Sequence, residues 1–407
     1  MRIAGVGCSL VDFLYSDVDF ACEAFQCLLS RAQGDGGLMP GGLVFRDEFE
    51  RFSGRPFDDV LRTLVGERSA DTYNIGGPAI VALILAAQLL APRGWQVAYY
   101  GAVGDDEAGR LILDGAAKTP LDITNYGRVP GTSPSTSVLS DPRYDGGHGE
   151  RIFVNNLGVA RDYGPECVPD SFFDSEVALF GATALTPQLH ANLTALLRKA
   201  KERGCFNIIT TVYDFQNEKR NPGGVWPLGE SDETYRYADL LVTDHIEALR
   251  ISGAGDVEGA CEWFRRKGLA ACVVTQGPRP VWFYAQGGAF GPVELMSLPV
   301  SQAVGDALRQ GLSTPGDTTG CGDNFAGGVL TSLAVQLADG CAGRLDLKQA
   351  VALGVCAGGA ACFQLGGMAL ENHPGERQAA IMRLYEQYGQ QVAAVCRLKA
   401  DPLDPQN

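Results

Sequence analysis

The stretch Asp317-Thr318-Thr319-Gly320-Cys321-Gly322-Asp323-Asn324-Phe325 stands just before a run in which Phe325, Val329, Leu333 and Leu337 share one helical stripe. A turn built on Gly320 and Gly322 at a helix start aims several unpaired N–H groups one way, and the positive end of the helix dipole points with them. Such a turn is an anion cradle. Asp323 stands at its mouth, where a carboxylate can accept a proton from a hydroxyl while backbone amides hold a phosphoryl group. The same residues also read as a plain glycine turn with Asp323 as a helix N-cap, and the local pattern leaves both readings open.

Outward from this stretch, the chain alternates strands and helices. Residues 2–7 read as a strand ending in a Gly-rich turn, with Asp12 soon after. Gly76-Gly77-Pro78 precedes an apolar helix running to about Leu90, with the proline at a position where its missing N–H costs nothing. A strand at 97–100, a helix at 107–117, short strands within 130–155 and a strand at 177–181 follow. Thr186-Pro187 opens a helix with Leu189, Leu193 and Leu197 on one face, closed by Gly204. Further strands are expected at 206–211, 240–243 and 271–275. This rhythm predicts an α/β fold with a mainly parallel sheet covered by helices on both faces. No linker or repeat divides the chain, and the polar residues 401–407 are expected to fray.

Composition narrows the function classes. The 407 residues carry 33 Lys+Arg against 48 Asp+Glu, a net charge of −15, with 45% hydrophobic and 20% charged residues. That describes a folded globular protein. Without a basic run it has no footprint for nucleic acid. The longest apolar stretch, 79–87, falls far short of the ~20 residues of a membrane helix. Met1-Arg2-Ile3-Ala4-Gly5 has no apolar signal core, so a cytoplasmic location is expected. The 12 cysteines are scattered without a Cys-x-x-Cys pair and read mostly as buried small hydrophobes in a reducing compartment. The four histidines, His148, His190, His245 and His373, suggest neither a zinc site nor a Ser-His-Asp triad. No Gly-Lys-Ser/Thr occurs, which excludes a Walker phosphate loop.

Asp317 to Asp323 resembles the C-terminal signature of the ribokinase-like (pfkB) carbohydrate and nucleoside kinases, and other segments are similar to the family in its order. The resemblance implies a three-layer αβα sandwich spanning 1–400, with a small β-rich lid from parts of 13–75 and 120–155. It implies ATP and Mg²⁺ as cofactors, with K⁺ in some relatives, a small hydroxylated substrate, and a homodimer formed through the lid. Asp323 would be the catalytic base, and the N–H groups of Gly320, Cys321 and Gly322 the anion hole. Asp317 and Thr319 match the ligands of a monovalent cation. Gly5-x-Gly7 with Asp12, and the pair Gly76-Gly77, match the substrate-binding segments, and Gly149-Glu150-Arg151 matches a lid strand. Gly101 to Gly109 is similar to the family's Gly-x-Val-Gly-x-Asp-x-x-Gly stretch. Asp244-His245-Ile246-Glu247 sits where relatives carry Asn-x-x-Glu, so Glu247, with Asp244, would order the water around Mg²⁺. Thr275-Gln276-Gly277 and the helix holding Cys356 match nucleotide-binding segments, and Asp214 is a second-rank site candidate.

Three positions depart from the family. Asp244 replaces the usual Asn, Val81 stands where many sugar kinases place a substrate-contacting Asn, and Cys8 stands where ribose and adenosine kinases often carry Asn. Losing two polar contacts argues against assigning ribose or adenosine. The preferred reading is an ATP-dependent kinase acting on a sugar-like hydroxyl. A nucleoside kinase and a catalytically inactive ligand-sensing protein are its rivals.

Overall fold

The computed structural model describes residues 1–32, 34–311, 319–340 and 344–403. Its strands, in chain order, are β1 (Arg2–Gly7), β2 (Leu10–Tyr15), β3 (Leu43–Phe45), β4 (Thr72–Gly76), β5 (Gln96–Val103), β6 (Tyr126–Arg128), β7 (Ser135–Asp141), β8 (Glu150–Asn156), β9 (Val177–Gly181), β10 (Phe206–Thr210), β11 (Leu240–Asp244), β12 (Ala271–Gln276), β13 (Arg279–Ala285) and β14 (Val293–Leu298). Nine form a large sheet in the order β14-β13-β12-β11-β10-β9-β1-β5-β6. Every pairing from β6 to β12 is parallel, and β13 and β14 close the edge as antiparallel strands.

The central strands are apolar runs because both their faces are covered. Side chains alternate between two cores. Ile3, Leu179, Ile208 and Leu240 point into one, with the helices Pro78–Leu90, Cys321–Ala338 and Leu347–Ala361. Ala4, Phe180, Ile209 and Leu241 point into the other, with the helices Leu193–Glu202 and Val257–Arg266. The result is the three-layer α/β sandwich expected. The stripe read from Phe325 onward understates its helix, for every residue from Asn324 to Gln336 is buried. Small residues allow this. A Cβ built on Gly327 would stand 2.7 Å from Ala82 O, and one on Gly328 would stand 2.9 Å from Leu353 O, so the helix is wedged between two neighbours at backbone contact.

The other five strands form a separate sheet in the order β3-β8-β7-β2-β4. One face carries Leu139, Ile152 and Val154 into a satellite core with Phe25, Phe49, Phe57 and Val60. Those aromatics belong to the excursion between β2 and β4, which folds back as the helices Glu23–Gln26, Arg46–Ser53 and Phe57–Val65. A second copy pairing through this sheet would therefore need its edges, since the chain's own helices cover that face. On the opposite face, Leu43 and Phe45 meet Ala182, Leu185 and Val212 beyond the ends of β9 and β10. That face looks onto the carboxyl ends of the large sheet, where open α/β sheets bind ligands.

Asp12 lies inside β2, paired with Asn74 and Thr136. One expectation is corrected. The helix from Thr186 breaks into Pro187–His190 and Leu193–Glu202. Asn192 Nδ2 donates back to Gln188 O (2.8 Å), and the Glu230 carboxylate accepts from Thr194 N (2.8 Å) and Ala195 N (3.0 Å), which caps the second piece. Of the tail 401–407, residues 404–407 lie outside the described residues, while Leu403 is buried and its carbonyl accepts from Arg93 Nη2. No described helix is long and apolar enough to cross a membrane.

Gly328→Leu should force the helices Cys321–Ala338 and Leu347–Ala361 apart and cost about 1–3 kcal/mol, read as a lower urea midpoint. An unchanged midpoint would show that the two backbones do not need this approach.

Candidate functional site

Gly320 caps the Cys321–Ala338 helix at φ +77°, so close to Gly367 that an added Cβ would collide with Gly367 Cα. The first amide to bond back is Asn324 N, to Gly320 O (2.9 Å). The amides of Cys321, Gly322 and Asp323 thus fall in the first turn, where a helix offers no acceptor of its own. Asn324 locks the turn from behind: its Nδ2 donates to Gly320 O (2.8 Å) and Gly367 O (2.9 Å), and its Oδ1 accepts from Arg377 Nη2 (3.1 Å). Sequence reading passed over Asn324 because an Asn in a first turn is unremarkable until its partners are known. Of the two proposed cation ligands, Thr319 is exposed beside the turn, and Asp317 lies outside the described residues.

Two distant carboxylates meet here. Burial first, and then the charge of Asp12, pushes the Asp323 carboxyl up to about 7. The Cys8 thiol is raised by burial and by both of these acids. Asp12 reaches this point because β2 runs beside β4, whose last residue gives it room: a Cβ on Gly76 would stand 2.5 Å from Asp12 Oδ2. Gly77, at φ +102°, crosses the β1–β2 turn so tightly that its Cβ would lie 2.6 Å from Ser9 Cα and 2.7 Å from Cys8 O. Val81 is buried one turn into the helix that follows, against Gly367, so it props the cradle from below where an Asn was expected.

A cavity of about 200 Å³ opens beside Asp323 and Gly322, walled by Thr211, Thr243, Asp244, Glu247 and Thr275 at the carboxyl ends of β10, β11 and β12. Asp244 and Glu247 form a capping box on the helix His245–Ser252: Glu247 N donates to Asp244 Oδ1 (2.9 Å), and Asp244 N lies 3.4 Å from Glu247 Oε2. Asp serves that cap as well as Asn does, which accounts for the departure at 244. Burial, then the Asp244 charge, pushes Glu247 up to about 7. Thr211 Oγ1 donates to Glu247 Oε2, opposing that rise.

Three carboxylates therefore share one cavity, and none of its lining residues is Lys or Arg. The Thr210 hydroxyl, on the same wall, is buried with no partner among the described residues. This donor set fits a hard divalent cation, which takes oxygen ligands. No three His, Cys, Asp or Glu side chains among the described residues converge tightly enough to hold a metal directly, so a bridging water layer suits the geometry.

A polar row crosses the small sheet at the level of Asp12. Asn74, Asp12, Thr136 and Asn155 lie directly opposite one another on adjacent strands and so share the face turned to the large sheet. Asn155 Nδ2 donates to Thr136 Oγ1 (3.0 Å), while Asn155 Oδ1 is buried without a partner. No motif singles out Thr136 or Asn155; only the strand register reveals them. The same register sets Arg151, opposite Ser140 and exposed, four residues along β8 from Asn155, roughly 13 Å away. Gly277 (φ +57°) forms the exposed β12–β13 turn outside the cavity lining, whereas Thr275 lines the cavity. The Cys356 side chain is fully buried in the core, so only its helix, not its thiol, is available to a ligand. Asp214 caps the helix Phe215–Arg220 through Asn217 N (2.9 Å). Asp106, in the 101–109 stretch, accepts from Ser133 N (2.8 Å) and Ser133 Oγ (2.6 Å), tying β5 to the approach to β7.

The model of the pfkB family of carbohydrate kinases matches residues 57–373. This chain belongs to that family. It is 26% identical over 270 residues to a fructokinase of Klebsiella pneumoniae, covering 64% of this chain and 77% of that protein. Its fold is similar to adenosine kinase from Sinorhizobium meliloti (TM-score 0.65, 21% identity, 93% of this chain and 99% of the other). It is also similar to ribokinase from Thermotoga maritima (TM-score 0.58, 17% identity, 93% and 98%). The expected ribokinase-like fold is thereby shown.

The raised Asp323 carboxyl has a consequence for stability. Its folded value of about 7 lies above the ordinary carboxylate range, so the folded state binds the proton more tightly than the unfolded one. The penalty is absent below about pH 4, grows as pH rises, and is complete above about 7. In the absence of ligands, Asp323→Asn should be more stable than wild type at pH 8, on the order of 1–2 kcal/mol after allowing for residual solvent contact, and the gap should close toward pH 4. A pH-independent difference in melting temperature would contradict the burial of this charge.

Proposed function

We propose that this pfkB family kinase transfers the γ-phosphoryl group of ATP to a hydroxyl of a sugar or sugar-like polyol, with Mg²⁺. The observation carrying this reading is a buried carboxyl in the first turn of a helix-terminal amide cradle, raised toward neutral pH by burial and then by the charge of Asp12. Phosphoryl transfer needs in-line positioning, charge neutralisation and a base, and little else from a protein.

In this reading the acceptor lies between the small sheet and the cradle. The Asp12 carboxylate and Asn155 Oδ1 accept hydrogen bonds from its hydroxyls. Proton-accepting groups of this kind suit a polyol, each of whose hydroxyls brings a donor. Asp323 takes the proton of the attacking hydroxyl; a base near pH 7 balances being deprotonated against holding the proton once it arrives. The amides of Cys321, Gly322 and Asp323 stabilise the phosphoryl oxygens as charge redistributes. Glu247 and Asp244 would hold the waters of Mg²⁺, which supplies positive charge to the phosphate oxygens. Thr275 borders the nucleotide end. The small sheet acts as a lid that excludes water and so suppresses hydrolysis of ATP.

The test is ATP consumption across a panel of hexoses, pentoses, polyols and nucleosides. A sugar or polyol should give the highest kcat/KM; turnover confined to nucleosides would establish the rival kinase reading, and none with any acceptor would favour the ligand-sensing one. With the best acceptor, Asp323→Asn should lower kcat by about 10²–10⁴ while calorimetric binding of a non-hydrolysable ATP analogue persists. Near-wild-type turnover would remove Asp323 from the role of base. Asn155→Leu should lower kcat/KM for the acceptor by about tenfold or more and leave the KM for ATP unchanged; equal losses for both substrates would place Asn155 in the fold rather than the acceptor site.

A further inference from the structure

Cys321 and Cys362 stand apart from the other described cysteines. Their sulfurs lie 3.4 Å apart, and both residues are partly exposed. Cys261 and Cys272 are also neighbours, but both are buried. Cys321 is the first residue of the Cys321–Ala338 helix, so its amide belongs to the cradle. Cys362 closes the Leu347–Ala361 helix, and its hydrogen bond with Cys321 lowers the Cys362 thiol to about 7. The segment it opens reaches both halves of the site. Leu365 O accepts from Asn74 Nδ2 (3.3 Å) on the small sheet, and Gly367 packs against Gly320.

We propose that Cys321 and Cys362 are an oxidisable pair whose disulfide pulls the anion cradle out of its working geometry. The inference rests on the kinase reading for its effect on turnover, but not for the bond itself. With a peroxide as oxidant, the Cys362 thiolate attacks one peroxide oxygen. An S–O bond forms, the O–O bond breaks, and the departing oxygen leaves as water after taking a proton. Cys321 then attacks the sulfenic sulfur. The S–S bond forms, the S–O bond breaks, and a second water leaves. Two thiols are oxidised and one peroxide is reduced to two waters. Closing the sulfurs from 3.4 Å to the ~2.05 Å of a disulfide draws the first residue of the cradle toward the end of the neighbouring helix by roughly 1 Å.

The experiment treats the reduced full-length protein with hydrogen peroxide, blocks the remaining thiols, and digests without reduction for mass spectrometry. The expected result is a peptide joining Cys321 to Cys362. Turnover of the best acceptor should fall by about tenfold to a hundredfold, the scale of a 1 Å misplacement, and return with dithiothreitol. Cys362→Ser, which removes the thiol that attacks peroxide, should turn over normally when reduced and keep that turnover through the same peroxide dose. Oxidation of the exposed Cys27 and Cys167 without the 321–362 link would overturn the proposal. So would a link that leaves turnover unchanged, or a Cys362→Ser enzyme as sensitive as wild type. The mass readout needs no activity, so a peroxide-formed link in a chain that phosphorylates nothing would sink the kinase reading and leave the thiol pair standing.

Discussion

Two negative charges that the fold brings together, Asp12 and Asp323, are the constraint around which the site is organised. One comes from a strand of the small sheet and the other from the first turn of a buried helix. Burial of Asp323, and then the like charge of Asp12, raises the proton affinity of the Asp323 carboxyl. The same conditions that cost stability give that carboxyl the affinity a general base needs at neutral pH. Asp244 and Glu247 repeat the arrangement at the edge of the neighbouring cavity.

Close backbone approach makes this convergence feasible. Gly76 leaves space for the Asp12 carboxylate, Gly77 lets the chain cross Ser9, and Gly320 lets the cradle rest on Gly367. Asn324, held in turn by Arg377, pins the carbonyls of Gly320 and Gly367 and so fixes the turn. Residues that depart from the family pattern have packing or capping work at their places: Val81 lies under Gly367, and Asp244 caps a helix. On the small sheet, Asn155 and Thr136 supply polar groups on the row of Asp12.

The helices of the excursion between β2 and β4 bring Phe25, Phe49 and Phe57 against Leu139, Ile152 and Val154 and give the small sheet a core of its own.

Amino-acid order alone determined the parallel α/β architecture, because unbroken apolar strands alternating with helices have few other ways to bury themselves, and it marked the cradle, since glycines before a helix start with an acid in the first turn are a local arrangement. It did not reveal β2 and β4 as strands around Asp12, the break at Asn192, the docking of Leu403, or the burial of the Cys356 thiol, all of which follow from distant partners. Only the tertiary structure decided that the charge of Asp12 acts on Asp323, that Asn155 joins the row of Asp12 while Arg151 lies far along its strand, and that two thiols from different helices touch. Strand register and helix contact set those distances, and both are properties of the packed chain, not of any segment within it.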